Sequence, residues 1–352
     1  MKLFTVGPVE MYPETLNQSA LQLPYFRTAE FSELMLHSEK LLLELVGAPE
    51  SARVVFLTAS GTGGMEAAVI NCLDSHDKTL IIDGGSFGHR FVQICERHGI
   101  PKETVKLEFG AQLTEEMLDK AYTGEMTALL VNLHETSTGQ LYDIDLIHNF
   151  CEKHGLFLIV DAISSFLADS IDMKRSGVDV LITSSQKALA LAPGISSVIL
   201  SPRAIDYARK QICSSMYFDF QDHLKNSERG QTPFTPAVGT LLTLHSRLES
   251  IASVGIKCVQ ESIHALALDF RKKVANLPIK IPDYPLSNAL TPIFFPSKNA
   301  RQIYETLYHE YALNVTPSGG ALVDSLLRVG HIGNLTAKDN DQLIRALYEI
   351  LK

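Results

Sequence analysis

One lysine and one aspartate lie in an apolar part of the sequence where charged side chains are rare. Asp161 ends the run LFLIVD, and Lys187 shares the stretch from Val178 to Leu200 with a single other charged residue, Asp179. Lysine and aspartate are seldom buried unless each has a partner. A lysine amine can bind the aldehyde of pyridoxal 5′-phosphate (PLP), and a carboxylate can keep its pyridine nitrogen protonated. The pair predicts a PLP site, with a structural buried ion pair as the alternative.

A glycine-rich turn before a predicted helix is a second candidate site. Ser60, Gly61 and Thr62 follow an apolar strand pattern, and the free N–H groups of a helix start, with two hydroxyls, suit a phosphate dianion. The turn also half-matches the dinucleotide-binding fingerprint, and Asp83 ends the next strand, where that fingerprint places a ribose-binding acid. A nicotinamide-dependent oxidoreductase is therefore an alternative, although Glu66 replaces the third glycine of the fingerprint.

Further candidate residues follow other predicted strands. Phe87 lies just after one strand and is placed to stack on a flat cofactor. A polar cluster follows another strand and contains His134, Glu135, Thr136 and Thr138. Because open α/β sheets bind ligands at the carboxyl ends of their strands, we expect these residues to share one crevice. The adjacent His134 and Glu135 do not have the spacing of a helical metal pair, so no metal site is predicted.

A lone arginine occurs in the last predicted strand, SLLRVGHIG. Arg328 can bind a carboxylate or phosphonate through two parallel hydrogen bonds. The alternative is an edge-strand arginine that faces water.

Strand and helix patterns alternate along the first two thirds of the chain. This predicts an α/β fold with a mostly parallel sheet covered by helices on both faces. Residues 216–230 are predicted to be a loop, and 237–275 one long helix between domains. From about Leu277 the pattern is typical of a smaller α+β domain. We expect a large PLP-binding domain at 18–250 and a small domain formed by 1–17 and 251–352.

Composition excludes several classes of function. The chain has 352 residues, 45% of them hydrophobic, and a net charge of −9, which argues against binding nucleic acid or a membrane surface. Its five cysteines are scattered, as in the reduced thiols of a cytosolic enzyme. The N-terminus has no apolar segment of signal-peptide type. The sequence predicts a cytoplasmic protein.

The order of the motifs SGT, GSFGHR, HETSTG, VDAISSF, SSQK and RVGHIG resembles that of the class V aminotransferases of PLP fold type I. The resemblance spans Gly7 to Gly333. It implies a large domain with a mostly parallel seven-stranded sheet between helices, and a smaller α+β C-terminal domain. It also implies a homodimer with shared active sites.

The resemblance further implies roles for individual residues. Lys187 would bind PLP as a Schiff base, Asp161 would pair with the ring nitrogen, and Phe87 would stack on the ring. Other cofactor contacts would come from Ser60, Gly61, Thr62, Thr136, Ser184 and Gln186. Thr235 would contact the phosphate in the neighbouring subunit. Arg328 would anchor the substrate carboxylate, with Gly7 in the turn beside the substrate.

The resemblance leaves the substrate open. The motifs are similar both to those of serine/alanine–pyruvate (or –glyoxylate) transaminases and to those of 2-aminoethylphosphonate–pyruvate transaminases. SSQK favours a small amino acid donor, whereas YFDFQD favours the phosphonate enzymes. Cysteine desulfurases are disfavoured because no cysteine follows Cys258 and a phenylalanine takes the stacking position. A PLP-fold protein that binds the cofactor without turnover is a further alternative.

Overall fold

A seven-stranded sheet forms the centre of the larger part of the molecule. The computed structural model describes residues 1–297 and 299–352. The strands of the sheet are β2 (Arg53–Thr58), β3 (Thr79–Asp83), β4 (Lys102–Lys106), β5 (Ala128–Asn132), β8 (Phe157–Asp161), β9 (Val180–Ser184) and β10 (Ile195–Leu200). Their order across the sheet is β2-β10-β9-β8-β5-β3-β4, and β10 runs antiparallel to both of its neighbours. The prediction of an α/β fold with a mostly parallel sheet is confirmed.

Helices cover both faces of this sheet. They are α1 (Pro13–Ser19), α2 (Ala29–Leu45), α3 (Gly61–Cys72), α4 (Gly88–Arg97), α5 (Glu115–Ala121), α6 (Ile144–His154), α7 (Pro202–Lys210), α8 (Phe220–Ser227) and α9 (Val238–Val254). Successive residues of a strand pack into the apolar cores on opposite faces of the sheet. In β5, Leu129 and Val131 belong to the core on one face, and Ala128 and Leu130 belong to the core on the other. This alternation explains why buried strands here are continuous apolar runs.

A second sheet contains strands from both ends of the chain. Its members are β1 (Lys2–Phe4), β11 (Leu290–Phe294), β12 (Leu313–Pro317) and β13 (Leu326–Gly330), and a separate small hairpin is formed by β6 (His134–Glu135) and β7 (Gln140–Leu141). β1 pairs in parallel with β12, in the order β1-β12-β13-β11. The sheet packs on α10 (Ile256–Val274), α11 (Ala300–His309) and α12 (Ala337–Ile350) around a separate apolar core.

Two segments differ from their predicted structure. The segment at 216–230 is not all loop, because Asp219 caps α8 by accepting a hydrogen bond from the Gln221 backbone N–H at 2.9 Å. The predicted single helix at 237–275 is two helices, α9 and α10, separated by Gly255 at φ 86°. A positive φ cannot continue an α-helix and is open to glycine without a steric cost. Among the described helices, none is both long and apolar enough to cross a membrane.

Candidate active site

The carboxyl ends of several parallel strands meet at one edge of the large sheet. β5 ends at Asn132, β8 at Asp161 and β9 at Ser184, all buried. Lys187 follows β9 in a short loop. The sheet topology therefore brings the predicted lysine and the predicted acid to the same edge.

Lys187 points from this loop toward the N-terminal segment of the chain. The residue is 8% exposed, and its Nζ donates a hydrogen bond to the Val6 carbonyl oxygen at 2.7 Å. A Cβ on Gly7 would lie 2.6 Å from Lys187 Cδ, and Gly7 has φ 130°. Only glycine fits both this backbone conformation and this close approach. The Phe87 ring centroid lies 6.0 Å from Nζ, so the structure brings Gly7, Phe87 and Lys187 together.

Asp161 and Lys187 have strongly perturbed pKa values because both are buried. Burial raises the pKa of Asp161 to about 7, although the hydrogen bond from the Ile163 backbone N–H and the charge of Lys187 lower it. Burial lowers the pKa of Lys187 to about 8, while Asp161 raises it. The uncharged amine, which is the form that attacks an aldehyde, is therefore reached at a lower pH in this site than in a free lysine.

This pKa predicts how fast the cofactor-free protein captures PLP. The folded amine loses its proton as pH rises through about 8, whereas an unperturbed lysine does so near ~10.4. We expect the rate at which the visible cofactor band grows to rise with pH and level off above about 8. Stopped-flow absorbance across this range measures it, with free Nα-acetyl-lysine as the control. A midpoint equal to that of the free amine would contradict the buried position of Lys187.

The helix α3 begins at the predicted phosphate turn. Ser60 caps the helix through its Oγ, which accepts a hydrogen bond from the Gly63 N–H at 3.4 Å. A Cβ on Gly61 would lie 2.4 Å from Ile163 Cδ1, so the turn packs directly on the loop after Asp161. Arg90 Nη1 donates to Thr62 Oγ1 at 3.2 Å, and its buried Nε has no partner among the described residues. This arrangement suits an anion, and Arg90 was given no role from the sequence.

Three other predicted cofactor contacts are hydrogen-bonded to protein groups. Thr136 Oγ1 donates to Ser164 Oγ at 2.8 Å. Ser184 Oγ donates to Gln186 Oε1 at 2.6 Å. These hydroxyl and amide groups are thus already oriented at the ends of β6 and β9.

Arg328 lies in β13 and reaches the turn that follows β6. Its Nη1 donates to the Thr136 carbonyl at 3.0 Å and its Nη2 to the Pro317 carbonyl at 2.7 Å. Its Nε is buried and has no partner among the described residues. Burial lowers the pKa of Arg328 to about 10, and the nearby Glu135 raises it. The guanidinium therefore stays charged at neutral pH and keeps donors free.

A cavity of about 640 Å³ lies beside Arg328 and Phe87. Among the described residues that line it, Arg328 is the only charged one, and Phe109 and Leu322 supply apolar surface. The cavity is large enough for a small substrate next to a ring stacked on Phe87.

Neither Thr235 nor His134 is among the described residues that line this cavity. Thr235 is exposed in the loop before α9. His134 is buried, and burial lowers its pKa to about 3, so it is a neutral ring within the packed interior.

Residues 12–316 match the model of the class V aminotransferases. The chain is a class V aminotransferase. The resemblance inferred from the motif order is confirmed, and the nicotinamide alternative is wrong. Asp83, the ribose-binding acid of that alternative, contacts His89 Nδ1 at 3.0 Å through its Oδ2.

Proteins similar to this class V aminotransferase cover most of its length. A curated relative from Paracoccus denitrificans, L-aspartate–glyoxylate aminotransferase, is 30% identical over 95% of this chain and 87% of its own. The soluble hydrogenase 42 kDa subunit of Anabaena cylindrica is 29% identical over 92% of this chain and 86% of its own. The crystal structure of an alanine–glyoxylate aminotransferase from Nostoc sp. superposes with a TM-score of 0.93 at 25% identity, covering 99% and 95% of the two chains.

The cofactor of this class V aminotransferase is PLP, and the residues present fit it. Lys187 offers a buried amine for the aldehyde. Asp161 offers a buried carboxylate for the ring nitrogen, and the α3 N-terminus, with the unpartnered Nε of Arg90 nearby, offers donors for the phosphate. Each part of the cofactor thus has a group of matching charge.

Proposed function

We propose that the enzyme moves an amino group from a small neutral amino acid, such as alanine or serine, to a 2-oxo acid such as glyoxylate or pyruvate. The observation that carries this proposal is the cavity, where Arg328 is the single charged side chain among the described lining residues. One guanidinium matches one carboxylate. The other lining residues are uncharged, which suits a donor amino acid with a short uncharged side chain.

A second anionic group on the donor would be poorly held in this cavity. Phe109, Ala321 and Leu322 face it without a cation. Burying an unpaired second carboxylate costs far more than burying a methyl or hydroxymethyl group. The cavity therefore supports alanine and serine over aspartate. 2-Aminoethylphosphonate, the alternative donor, has a single anionic group that Arg328 could pair with, so the donor panel below decides between it and alanine. The names of the Paracoccus and Nostoc proteins support glyoxylate as the acceptor.

Bound PLP supplies an aldehyde for the donor amine and a ring that withdraws electrons from the reacting carbon. In our proposal Arg328 binds the substrate carboxylate and so fixes which bond of the reacting carbon faces the ring. Lys187 would be the group that takes the proton from the substrate carbon and returns it at the cofactor carbon. Asp161 would hold the ring nitrogen in its protonated form, and Phe87 would stack on the ring.

A donor panel on the wild type and on Arg328 variants tests this proposal. We expect alanine and serine to bleach the visible band faster than aspartate or 2-aminoethylphosphonate. Arg328→Ala should raise KM for alanine about 10- to 100-fold, since hydrogen bonds to a charged group contribute about 1.5–3 kcal/mol. Arg328→Lys should recover part of this loss, because lysine keeps the charge but not the paired donors.

Cofactor affinity is the control in this panel, and Arg328→Ala should leave it within about threefold of the wild type. Equal losses of cofactor and substrate affinity would show that Arg328 is structural. Aspartate or the phosphonate as the fastest donor would overturn the proposed substrate class.

We also propose that the enzyme is a cytoplasmic homodimer in which Thr235 contacts the cofactor phosphate of the other subunit. The exposed apolar residues of segment 16–25 support an interface, since Leu21 and Tyr25 are 67% and 68% exposed. Thr235 is exposed, as a residue that serves a second subunit must be. All five cysteines are free thiols, which suits a reducing compartment.

Mixing two defective variants tests the shared site. A dimer of one Lys187→Ala subunit and one Thr235→Ala subunit should contain one intact site if Thr235 acts on the neighbouring subunit, because both substitutions then fall in the other site. We expect the mixed dimer to bind PLP at that site with wild-type affinity. Affinity equal to that of the Thr235→Ala homodimer would place Thr235 in the site of its own chain.

A further inference from the structure

Glu135 is a buried carboxylate surrounded by hydrogen-bond donors. It is 0% exposed. Its Oε2 accepts from the backbone N–H groups of Phe87 at 3.2 Å and Gly88 at 3.0 Å, and from Asn132 Nδ2 at 2.9 Å. Its Oε1 accepts from the backbone N–H of Ser137 at 3.0 Å and from the Ser137 hydroxyl. Five donors thus converge on two oxygens.

The loop before α4 is folded around this carboxylate. A Cβ on Gly85 would lie 2.5 Å from Glu135 Cδ, so the loop approaches more closely than any other residue type allows. The Ser86 N–H donates to Ser137 Oγ at 3.2 Å, which ties the loop to the same cluster. Gly88 is the first residue of α4, and a negative charge at a helix N-terminus is favourable.

Two groups of the active site are attached to this cluster. Phe87, whose ring centroid lies 6.0 Å from Lys187 Nζ, is held by its backbone N–H. Thr136 directly follows Glu135, and its carbonyl accepts the hydrogen bond from Arg328 Nη1 at 3.0 Å. One carboxylate therefore links the segment that carries the aromatic ring with the segment that supports the guanidinium.

We propose that Glu135 is a positioning residue for transamination: its carboxylate fixes the Phe87 ring where it would stack on the cofactor and, through Thr136, fixes the Arg328 guanidinium relative to that ring. A glutamine amide fits this cluster poorly. Four of the five neighbours are N–H groups that only donate, and the Ser137 hydroxyl already accepts from the Ser86 N–H, so the NH₂ group of a glutamine would face N–H groups. The proposal depends on the enzyme being a PLP-dependent aminotransferase and not on which amino acid is the donor.

Visible circular dichroism of the holoenzyme tests this role, because the signal per bound cofactor reports how the protein orients the ring. We expect Glu135→Gln to lose at least half of that signal and to raise KM for the best donor about tenfold. The matched control is Glu39→Gln. Glu39 is also buried, accepts from Arg53 Nε at 2.7 Å and the Val54 N–H at 2.9 Å, and lies in α2 outside the crevice. The Glu39→Gln substitution should lower Tm and leave the dichroism and KM unchanged.

A milder variant keeps the test decisive if Glu135→Gln does not fold. Ser137→Ala removes the hydroxyl donor and should give a smaller change of dichroism in the same direction. Wild-type dichroism and KM in the variant that folds, with a lower Tm alone, would overturn the proposal and leave Glu135 as a structural acid. A reduced dichroism together with a raised KM, at the Tm of the wild type, would support the proposal most strongly.

Discussion

Replacing Lys187 by alanine is expected to abolish transamination while the fold and non-covalent cofactor binding persist. In our proposal the variant loses the amine that would hold the cofactor aldehyde and move the proton between the two carbons. Proton transfer by a positioned side chain alone contributes about 10²- to 10⁴-fold, so the half-reaction with the donor should slow by at least this factor. Single-turnover absorbance of the variant reconstituted with PLP measures the loss.

The control for this prediction is Lys174→Ala. Lys174 is exposed and lies near the same sheet, before β9, and its loss should leave the single-turnover rate unchanged. Added methylamine should restore part of the activity of the Lys187 variant, because a free amine can take over the proton transfer. A Lys187→Ala rate within a few-fold of the wild type would require a different catalytic base.

Replacing Asp161 by asparagine should have the second-largest effect. Asparagine keeps the shape and still accepts the hydrogen bond that Asp161 Oδ1 receives from the Ile163 N–H at 2.8 Å. It removes the carboxylate that, in our proposal, favours a protonated ring nitrogen. Hydrogen bonds to charged groups contribute about 1.5–3 kcal/mol, so we expect the single-turnover rate to fall roughly 10- to 100-fold.

Asp179→Asn is the matched control for Asp161→Asn. Asp179 is also buried, but it precedes β9 at the opposite end of the strand and pairs with Arg203 Nη1 at 3.3 Å. Its substitution should lower Tm and leave the rate per folded molecule intact. Equal rate losses in the two variants would mean that Asp161 acts through stability and not through the ring.

The sequence was sufficient to locate the crevice because parallel strands end on one edge of a sheet. Asp161 and the loop of Lys187 follow adjacent strands, so their meeting needed only the order of strand and helix patterns. The contact of Lys187 Nζ with the Val6 carbonyl could not be predicted, since 181 residues separate the two positions. The same is true of Arg328 and the Thr136 carbonyl, which are 192 residues apart.

The two wrong predictions of local structure have local causes. The segment around Asp219 was predicted as a loop because of its aromatic and charged composition. Asp219 is in fact the N-cap residue of α8. Segment 237–275 was predicted as one helix, but the positive φ of Gly255 ends α9 and starts α10. Glu135 was placed in the polar cluster without a role, because only the folded chain shows that donors from two loops surround it.

Peptide mapping of the borohydride-reduced holoenzyme tests the central claim most directly. Reduction fixes the cofactor to whichever lysine binds it, and trypsin does not cleave after a modified lysine. The account predicts one peptide covering 176–203 that carries the reduced cofactor on Lys187. Cleavage after an unmodified Lys187 in protein saturated with PLP, or the cofactor on another lysine, would contradict it.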